Sequence, residues 1–448
     1  MKKLNKLLIL FIILLSGTTM LFAQSAGTKG NKKAPPQRIT VDTRVDNMVY
    51  WKNMARLGLV PVAPDVTVEK GTFTGSKIKA KSVITDDSPD VPLTTVNSTQ
   101  SENSIFADPN DKNHVLNSNN STENPVGNLY GANDFFTFDG GNSWGGEVEG
   151  AGGGNSGDPT TAISNTGRMY VGYIHNNYGQ GISYSTNGGQ SWSTKLVAPN
   201  PGSMLDKNHL WIDNSTSSPY DGYVYDAWTA FGGSHNNQIE VSHSSDGGLT
   251  WSTGLNISAA INAGSHNQGV NLHTGPNGEV YAIWAVYDSW PSDETAIGFA
   301  KSMDGGATFN TAHRIITNIR GIRTSGTSKN QRVNSFPSMT VDISNGPNRG
   351  TIYVVWTNIG VPGVNTGSSI DIYMIKSTDN GTTWSTPSRI NQDPTGLGKQ
   401  HYFPWICCDP VSGTLSCIFY DDRNVSSTKC EVFVATPRTV VKPGKTLK

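Results

Sequence analysis

The residues of this chain best suited to chemistry recur at one kind of position. At the start of six successive apparent strands stand Ser101-Glu102-Asn103, Asp158, Asp206-Lys207-Asn208-His209, His266-Asn267-Gln268, Arg332-Val333-Asn334 and Gln400-His401-Tyr402. Connections further along the same units add His175-Asn176-Asn177-Tyr178, His235-Asn236-Asn237, Asp288-Ser289-Trp290 and Asp421-Asp422-Arg423. Five of the nine histidines fall in these two sets, which concentrates titratable and hydrogen-bonding groups at one set of strand ends. Amide, imidazole, guanidinium and aromatic groups together suit a sugar, through hydrogen bonds and ring stacking. Polar residues also line any water-filled channel and cap neighbouring strands, so residue type alone leaves both readings open. The substrate-binding candidates are Asp206, Lys207, His209, His266, Asn267, His401 and Arg423. Neither a metal nor a cofactor is expected. The sequence has no His-Glu-x-x-His, no Gly-x-Ser-x-Gly and no phosphate-cradling Gly-x-x-x-x-Gly-Lys-Ser/Thr.

What must position these residues is a repeat. Five segments share Asp or Asn, a turn pair ending in Gly, and a trailing aromatic: 136–144, 185–192, 244–251, 302–309 and 377–384. Their Asp-equivalent positions are Asp139, Asn187, Asp246, Asp304 and Asp379, spaced by 48, 59, 58 and 75 residues. That spacing suits a four-stranded propeller blade with loop insertions. Glycine takes the positive φ of a tight hairpin, the Asp side chain accepts from turn N–H groups, and the aromatic ring folds back onto the blade. Before each box runs a β-branched and aromatic stretch, as in Met169–Ile174 and Glu279–Trp284, which reads as a second strand. The fold expected is all-β: a six-bladed β-propeller of four-stranded antiparallel blades, with a short N-terminal extension. The blades fall at about 101–150, 157–205, 206–262, 266–320, 332–394 and 400–438. The sixth lacks a box, and Pro92 to Val96 are expected to supply its outer strand. The 49 glycines and the 15% of charged residues fit this turn-rich class and exclude a helical bundle.

On its boxes the chain resembles the Asp-box, or BNR-repeat, propellers of the sialidase-like superfamily, over roughly residues 100 to 440. The resemblance implies that the boxes are structural turns away from the active face. It also implies a sialidase-type glycoside hydrolase, with an arginine cluster holding the sugar carboxylate, an acidic proton donor and a tyrosine–glutamate nucleophile pair. Under it Asp158 stands as the acid, Tyr402 or Glu240 as part of the nucleophile pair, and Arg332 with Arg423 as mouth arginines. The catalytic candidates are therefore Asp158, Arg332 and Tyr402. The chain departs from the pattern at the first arginine. Its nearest match to Arg-Ile-Pro is Arg314-Ile315-Ile316, without proline and after the fourth box. The competing reading is a non-catalytic propeller that binds carbohydrate or protein, or serves as a structural surface module.

Residues 1–23 read as a secretory signal, with Lys2, Lys3 and Lys6 ahead of the apolar run Leu7 to Leu15 and a small residue, Ala23, for cleavage. Their removal takes the balance from 34 Lys+Arg against 35 Asp+Glu to 31 against 35, about −4. No basic face for nucleic acid results, and no later apolar run is long enough to span a bilayer. The expected setting is secreted, periplasmic or cell-surface, with an extracellular glycan or glycoprotein as partner and a monomeric chain. Residues 24–80 read as an extension, partly without apolar rhythm, with a short helix over 46–57 capped by Asp46. The propeller takes 81–440 and a tail 441–448. In an exported chain Cys407, Cys408, Cys417 and Cys430 are expected to form disulfides.

Overall fold

The computed structural model describes residues 40–62, 93–94, 99–122, 129–150, 155–261, 264–329, 331–425 and 429–436. Asp42–Lys448 form one compact unit, and Met1–Val41 a second, of which only Thr40 and Val41 are described. The expected signal, the tail and most of Pro92–Val96 lie outside the described residues.

Six antiparallel sheets follow one another along the chain. The first holds β1 (Thr99–Ala107), β2 (Val115–Thr122), β3 (Leu129–Ala132) and β4 (Phe135–Thr137), the last two both pairing with β2. The next four are regular meanders, from β5 (Thr160–Ile163) to β8 (Ser193–Ala198), β9 (Met204–Ile212) to β12 (Leu255–Asn256), β13 (His266–Thr274) to β16 (His313–Ile316), and β17 (Ser338–Val341) to β20 (Ser388–Arg389). The sixth has β21 (His401–Cys408), β22 (Leu415–Asp421) and β23 (Glu431–Ala435) among the described residues. This is a six-bladed, all-β propeller. Its one helix among the described residues is α1 (Met48–Arg56).

The second strands of the second to fifth blades make the core because each is buried along its whole length, whereas β22 in the sixth blade alternates between buried and exposed residues. In β14 (Val280–Tyr287) every residue is buried, which explains a continuous apolar run where a half-exposed strand would alternate. Trp228, Trp284 and Trp356 occupy the same place in successive blades and are fully buried. Trp284 lies across Gly298, its cross-strand partner, where a Cβ would stand 2.4 Å from the indole. Glycine is required there by close approach.

The boxes behave as their residue types demand. The Ser302 hydroxyl donates to Asp304 at 2.7 Å and accepts from the Gly306 N–H at 2.9 Å, while Asp304 accepts from the Thr308 N–H at 2.9 Å. The same pattern recurs around Asp246 and Asp379. Phe309 and Trp384 then pack against adjoining blade cores. In an antiparallel meander the turn after the third strand lies at the opposite end from the start of the first. The boxes therefore sit at the far end from the strand starts that carry the titratable residues.

Two expectations change. The helix runs over Met48–Arg56, and its cap is Asn47, whose side chain accepts from the Tyr50 N–H at 2.6 Å. Asp46, expected as the cap, is engaged elsewhere. The four cysteines stand as free thiols. Register explains part of this, since Ile406 faces Cys417 and Cys407 faces Ser416, so Cys407 and Cys417 project to opposite faces.

Candidate functional site

The innermost strands begin with a repeated irregularity. Pairing slips by one residue between Ser101 and Ser104, between Gln268 and Asn271, between Tyr402 and Trp405, and opposite Ala227 and Thr229 in the third blade. At these bulges, and just before β5, one residue takes left-handed backbone: Glu102 (φ 57°), Asp158 (54°), Lys207 (51°), Gly269 (70°) and Phe403 (52°). For a residue with a Cβ this costs on the order of 1–3 kcal/mol, and such strain gathers at functional sites. A bulge also breaks the in–out alternation and re-aims a side chain. Here the left-handed residues Glu102, Asp158 and Lys207, the first and last of them at bulges, bring three charged groups from three blades toward one another.

Arg332 joins the group from the approach to the fifth blade. Its guanidinium lies 3.7 Å from Glu102 and 2.9 Å from Asp46. The Lys207 ammonium stands 3.6 Å from Glu102, and the Lys207 N–H donates to Asp158 at 3.1 Å. Asp158 also accepts from the Asn47 side chain, and its own N–H donates to Asn120 at 2.8 Å. Asp206 accepts from Gln268 at 2.8 Å and from the Asp46 N–H at 3.3 Å. Arg323 approaches Asp46 at 3.8 Å and stacks over Trp290 at 4.0 Å. Residues from blades one, two, three and four, together with the approach to blade five, thus meet at the strand-start end of the propeller, the end where a propeller's mouth is expected.

Crowding shifts the protons. Burial, then the charge of Asp158, raises the Glu102 carboxyl to about 8 against the pull of Lys207 and Arg332. Burial, then Asp46, raises Asp206 to about 7. Asp158 is raised by burial and then by Asp206. For Lys207 burial works against the charge, but Glu102, Asp158 and Asp206 outweigh it and hold the ammonium protonated. At neutral pH, Glu102 therefore carries a proton beside an ammonium and a guanidinium. That is the state of a general acid.

Among the residues singled out by sequence, Asp158, Asp206, Lys207 and Arg332 come together. His266 borders them, its ring nitrogens 3.1 Å from Asn237 and 2.9 Å from Gln268, with burial first among the causes that lower it to about 4. Asn267 braces the wall, donating to the Asn237 carbonyl at 3.1 Å and accepting from Trp284 at 2.9 Å. His209 faces Asn271 and the Leu272 N–H, is lowered by burial to about 3, and lies between Trp211 and Trp405. Tyr402 is fully buried beside Ile322, Val333 and Ile359, its hydroxyl accepting from Gln331 at 3.0 Å and its ionisation pushed up, by burial first.

His401 and Arg423 belong to a separate buried cage. His401 lies 3.4 Å from Asp371, 3.2 Å from Asp393 and 3.4 Å from Asp421. Arg423 pairs with Asp421 at 2.5 Å, and Arg389 with Asp371 at 3.0 Å and Asp393 at 2.9 Å. Burial opposes charge on the imidazole, but hydrogen bonding to the three carboxylates raises it to about 11. Asp371, Asp393 and His401 are close enough to ligate one cation. Arg389 and Arg423 already pair with Asp371, Asp393 and Asp421, so these carboxylates have cationic partners within the chain.

Sequence reasoning placed Glu102 and Gln268 at strand starts without singling them out, and missed Asp46, Asn47 and Arg323. The last three come from the N-terminal extension and from a loop before β17, and no local spacing marks them.

Solved structures with a similar chain trace include a Dyadobacter fermentans protein of unknown function, at 14% identity over 76% of this chain and 94% of that one, TM-score 0.48. An α-L-arabinofuranosidase from Fusarium graminearum matches at 14% identity over 78% and 96%, TM-score 0.45. A leech intramolecular trans-sialidase matches at 12% identity over 81% and 70%, TM-score 0.48. No protein-family model matches the chain, and a search of curated proteins finds no match. No helix among the described residues is long and apolar enough to cross a membrane.

Proposed function

We propose that the channel mouth binds an anionic glycan and cleaves a glycosidic bond there by acid catalysis. The observation that carries this reading is the buried Glu102 carboxyl standing 3.6 Å from Lys207 and 3.7 Å from Arg332, where burial and then Asp158 push it up to about 8. Glu102 donates its proton to the leaving glycosidic oxygen as the bond from that oxygen to the anomeric carbon breaks, water adds to the anomeric carbon, and the proton this water releases returns to the Glu102 carboxylate beside Asp158. Asp206 is the second carboxyl, held by Gln268 and ionised in part near neutrality. Arg332 and Arg323 supply the positive charge for an acidic group on the sugar, and Trp290 with His266 supplies a stacking wall. Tyr402 enters only through Gln331, the neighbour of Arg332. Export to an extracellular setting belongs to the same proposal and rests on the first 23 residues.

A panel of chromogenic glycosides that includes a sialoside, an arabinofuranoside and uronides tests it. Turnover by the wild-type chain, reduced about 10²–10⁴-fold in Glu102→Gln, is expected for loss of a general acid. No turnover across the panel by folded protein removes the catalytic part. A blank glycan array removes the binding part as well. The second reading, binding without cleavage, is favoured by one observation: Asp46 and Asn47 already occupy Arg332 and Asp158.

A further inference from the structure

The stretch Asp42–Arg56 meets the mouth as a ligand would. Helix α1 lies against the propeller with Val49, Tyr50 and Met54 buried, and the residues just before it reach inward. Arg44 donates to Asn236 and Asn237 at 2.7 Å each, and its guanidinium stands 5.3 Å over Phe231. Asp46 sets its carboxylate on Arg332 at 2.9 Å and toward Arg323 at 3.8 Å, with its N–H on Asp206. Asn47 donates to Asp158. Further out, Asn53 donates to the Tyr178 hydroxyl, and Tyr50 packs edge-on to Tyr178 at 6.2 Å. One peptide therefore satisfies three mouth residues at once, and a carboxylate sits between two guanidiniums.

The attachment is of a kind that can release. The segment belongs to none of the six sheets, and its polar links to the propeller run through side chains and one N–H. Between Arg56 and Thr99 lie 42 residues (99 − 56 − 1). By length alone, a chain of that many residues spans up to about 140 Å at ~3.3 Å per residue, so its length does not itself hold the segment to β1. Tethered as it is, the segment competes at a high effective concentration, and a free ligand binds with an affinity reduced by the fraction of time the mouth is open.

We infer that Asp42–Arg56 is a displaceable internal plug, in which the Asp46 carboxylate stands in for the anionic group of the ligand on Arg323 and Arg332. This rests on the reading of the mouth as a ligand site and adds a regulated, self-occupied state to it. The site works when the segment withdraws, through ligand competition or cleavage of the chain beyond Arg56.

The test uses the full chain and two variants, Asp46→Ala, which empties the arginine pair, and Arg44→Ala, which weakens the plug without touching that pair. Hydrogen exchange is followed in peptides covering 46–56 and in those covering Val280–Tyr287 of the core, and binding of glucuronate and acetate is measured by calorimetry. Exchange of 46–56 is expected well before that of the core, at least tenfold faster in both variants, and accelerated in the wild type by saturating glucuronate. Glucuronate affinity is expected to rise at least tenfold in both variants. Exchange of 46–56 only in step with the core overturns the plug, as does unchanged affinity for both carboxylates. If acetate gains tenfold while glucuronate binds no better than acetate, the plug stands and the glycan reading of the mouth falls.

Discussion

Replacing His401 with Gln tests whether its cage is structural. The imidazolium is fully buried and meets Asp371, Asp393 and Asp421 within 3.2–3.4 Å. Gln keeps a hydrogen-bonding side chain but no charge, which leaves three buried carboxylates against two guanidiniums. Breaking a buried ion network by removing one partner costs about 3–5 kcal/mol. For a unit the size of Asp42–Lys448 the unfolding entropy is roughly 0.8 kcal/mol/K, so Tm is expected to fall by about 4–6 °C. The pH dependence gives a sharper signature. His401 is raised above its unfolded value, so its contribution is complete below about pH 6.5 and is lost as pH climbs toward about 11. Asp371, Asp393 and Asp421 are lowered, because hydrogen bonding to His401 outweighs burial, so their contribution is present above about pH 4 and fades as acid protonates them. The stability gap between wild type and His401→Gln, read from urea unfolding across pH, is therefore widest between about pH 4 and pH 6.5 and narrows on the alkaline side. A gap below about 1 kcal/mol, the size of an exposed pair, or one that stays flat into the alkaline range, refutes the cage and returns His401 to the list of ligand-binding candidates.

Three further outcomes follow from the fold and the thiols. Gly298→Ala places a Cβ 2.4 Å from the Trp284 indole and is expected to cost about 1–3 kcal/mol by overpacking; unchanged urea midpoint contradicts the close packing of these strands. Ser302→Ala leaves the buried Gly306 N–H without its hydroxyl acceptor and Asp304 without that donor, a loss of about 1–3 kcal/mol in the same assay; a neutral result removes the hydroxyl from the box's stability. Thiol titration of denatured, unreduced protein is expected to count four reactive thiols, with Cys417 protected in the native chain, where burial pushes it up to about 12. A count of zero restores the disulfides expected of an exported chain.

Fold and site were legible to different degrees. The boxes announced themselves because each is a local device: Ser302, Asp304, Gly306 and Thr308 bond to one another within seven residues of chain. The second strands of the second to fifth blades were equally plain, since their full burial writes itself as an apolar and aromatic run. The mouth was visible as a set of strand starts, and four of the residues singled out there, Asp158, Asp206, Lys207 and Arg332, do converge. Composition hid which strand-start residues are re-aimed, because Glu102, Asp158 and Lys207 take left-handed backbone without the glycine that would have signalled it. His401 stands at a strand start like the mouth residues, whereas the cage that holds it is assembled from Asp371, Asp393 and Asp421, tens of residues apart in sequence. Asp46 stands one residue before the helix cap Asn47, where local rules alone would make it the cap. Its carboxylate instead answers Arg332, 286 residues away (332 − 46), and no local rule reaches that far.

The central claim is that Glu102 delivers a proton at the channel mouth, and a pH–rate profile tests it most directly. On whichever glycoside of the panel is turned over, kcat/KM of the wild type and of Asp46→Ala is expected to fall as pH rises through about 8, the value at which Glu102 gives up its proton. In Glu102→Gln that alkaline limb is expected to vanish along with most of the rate. A limb that persists near pH 8 in folded Glu102→Gln, or turnover undiminished by the substitution, contradicts the account.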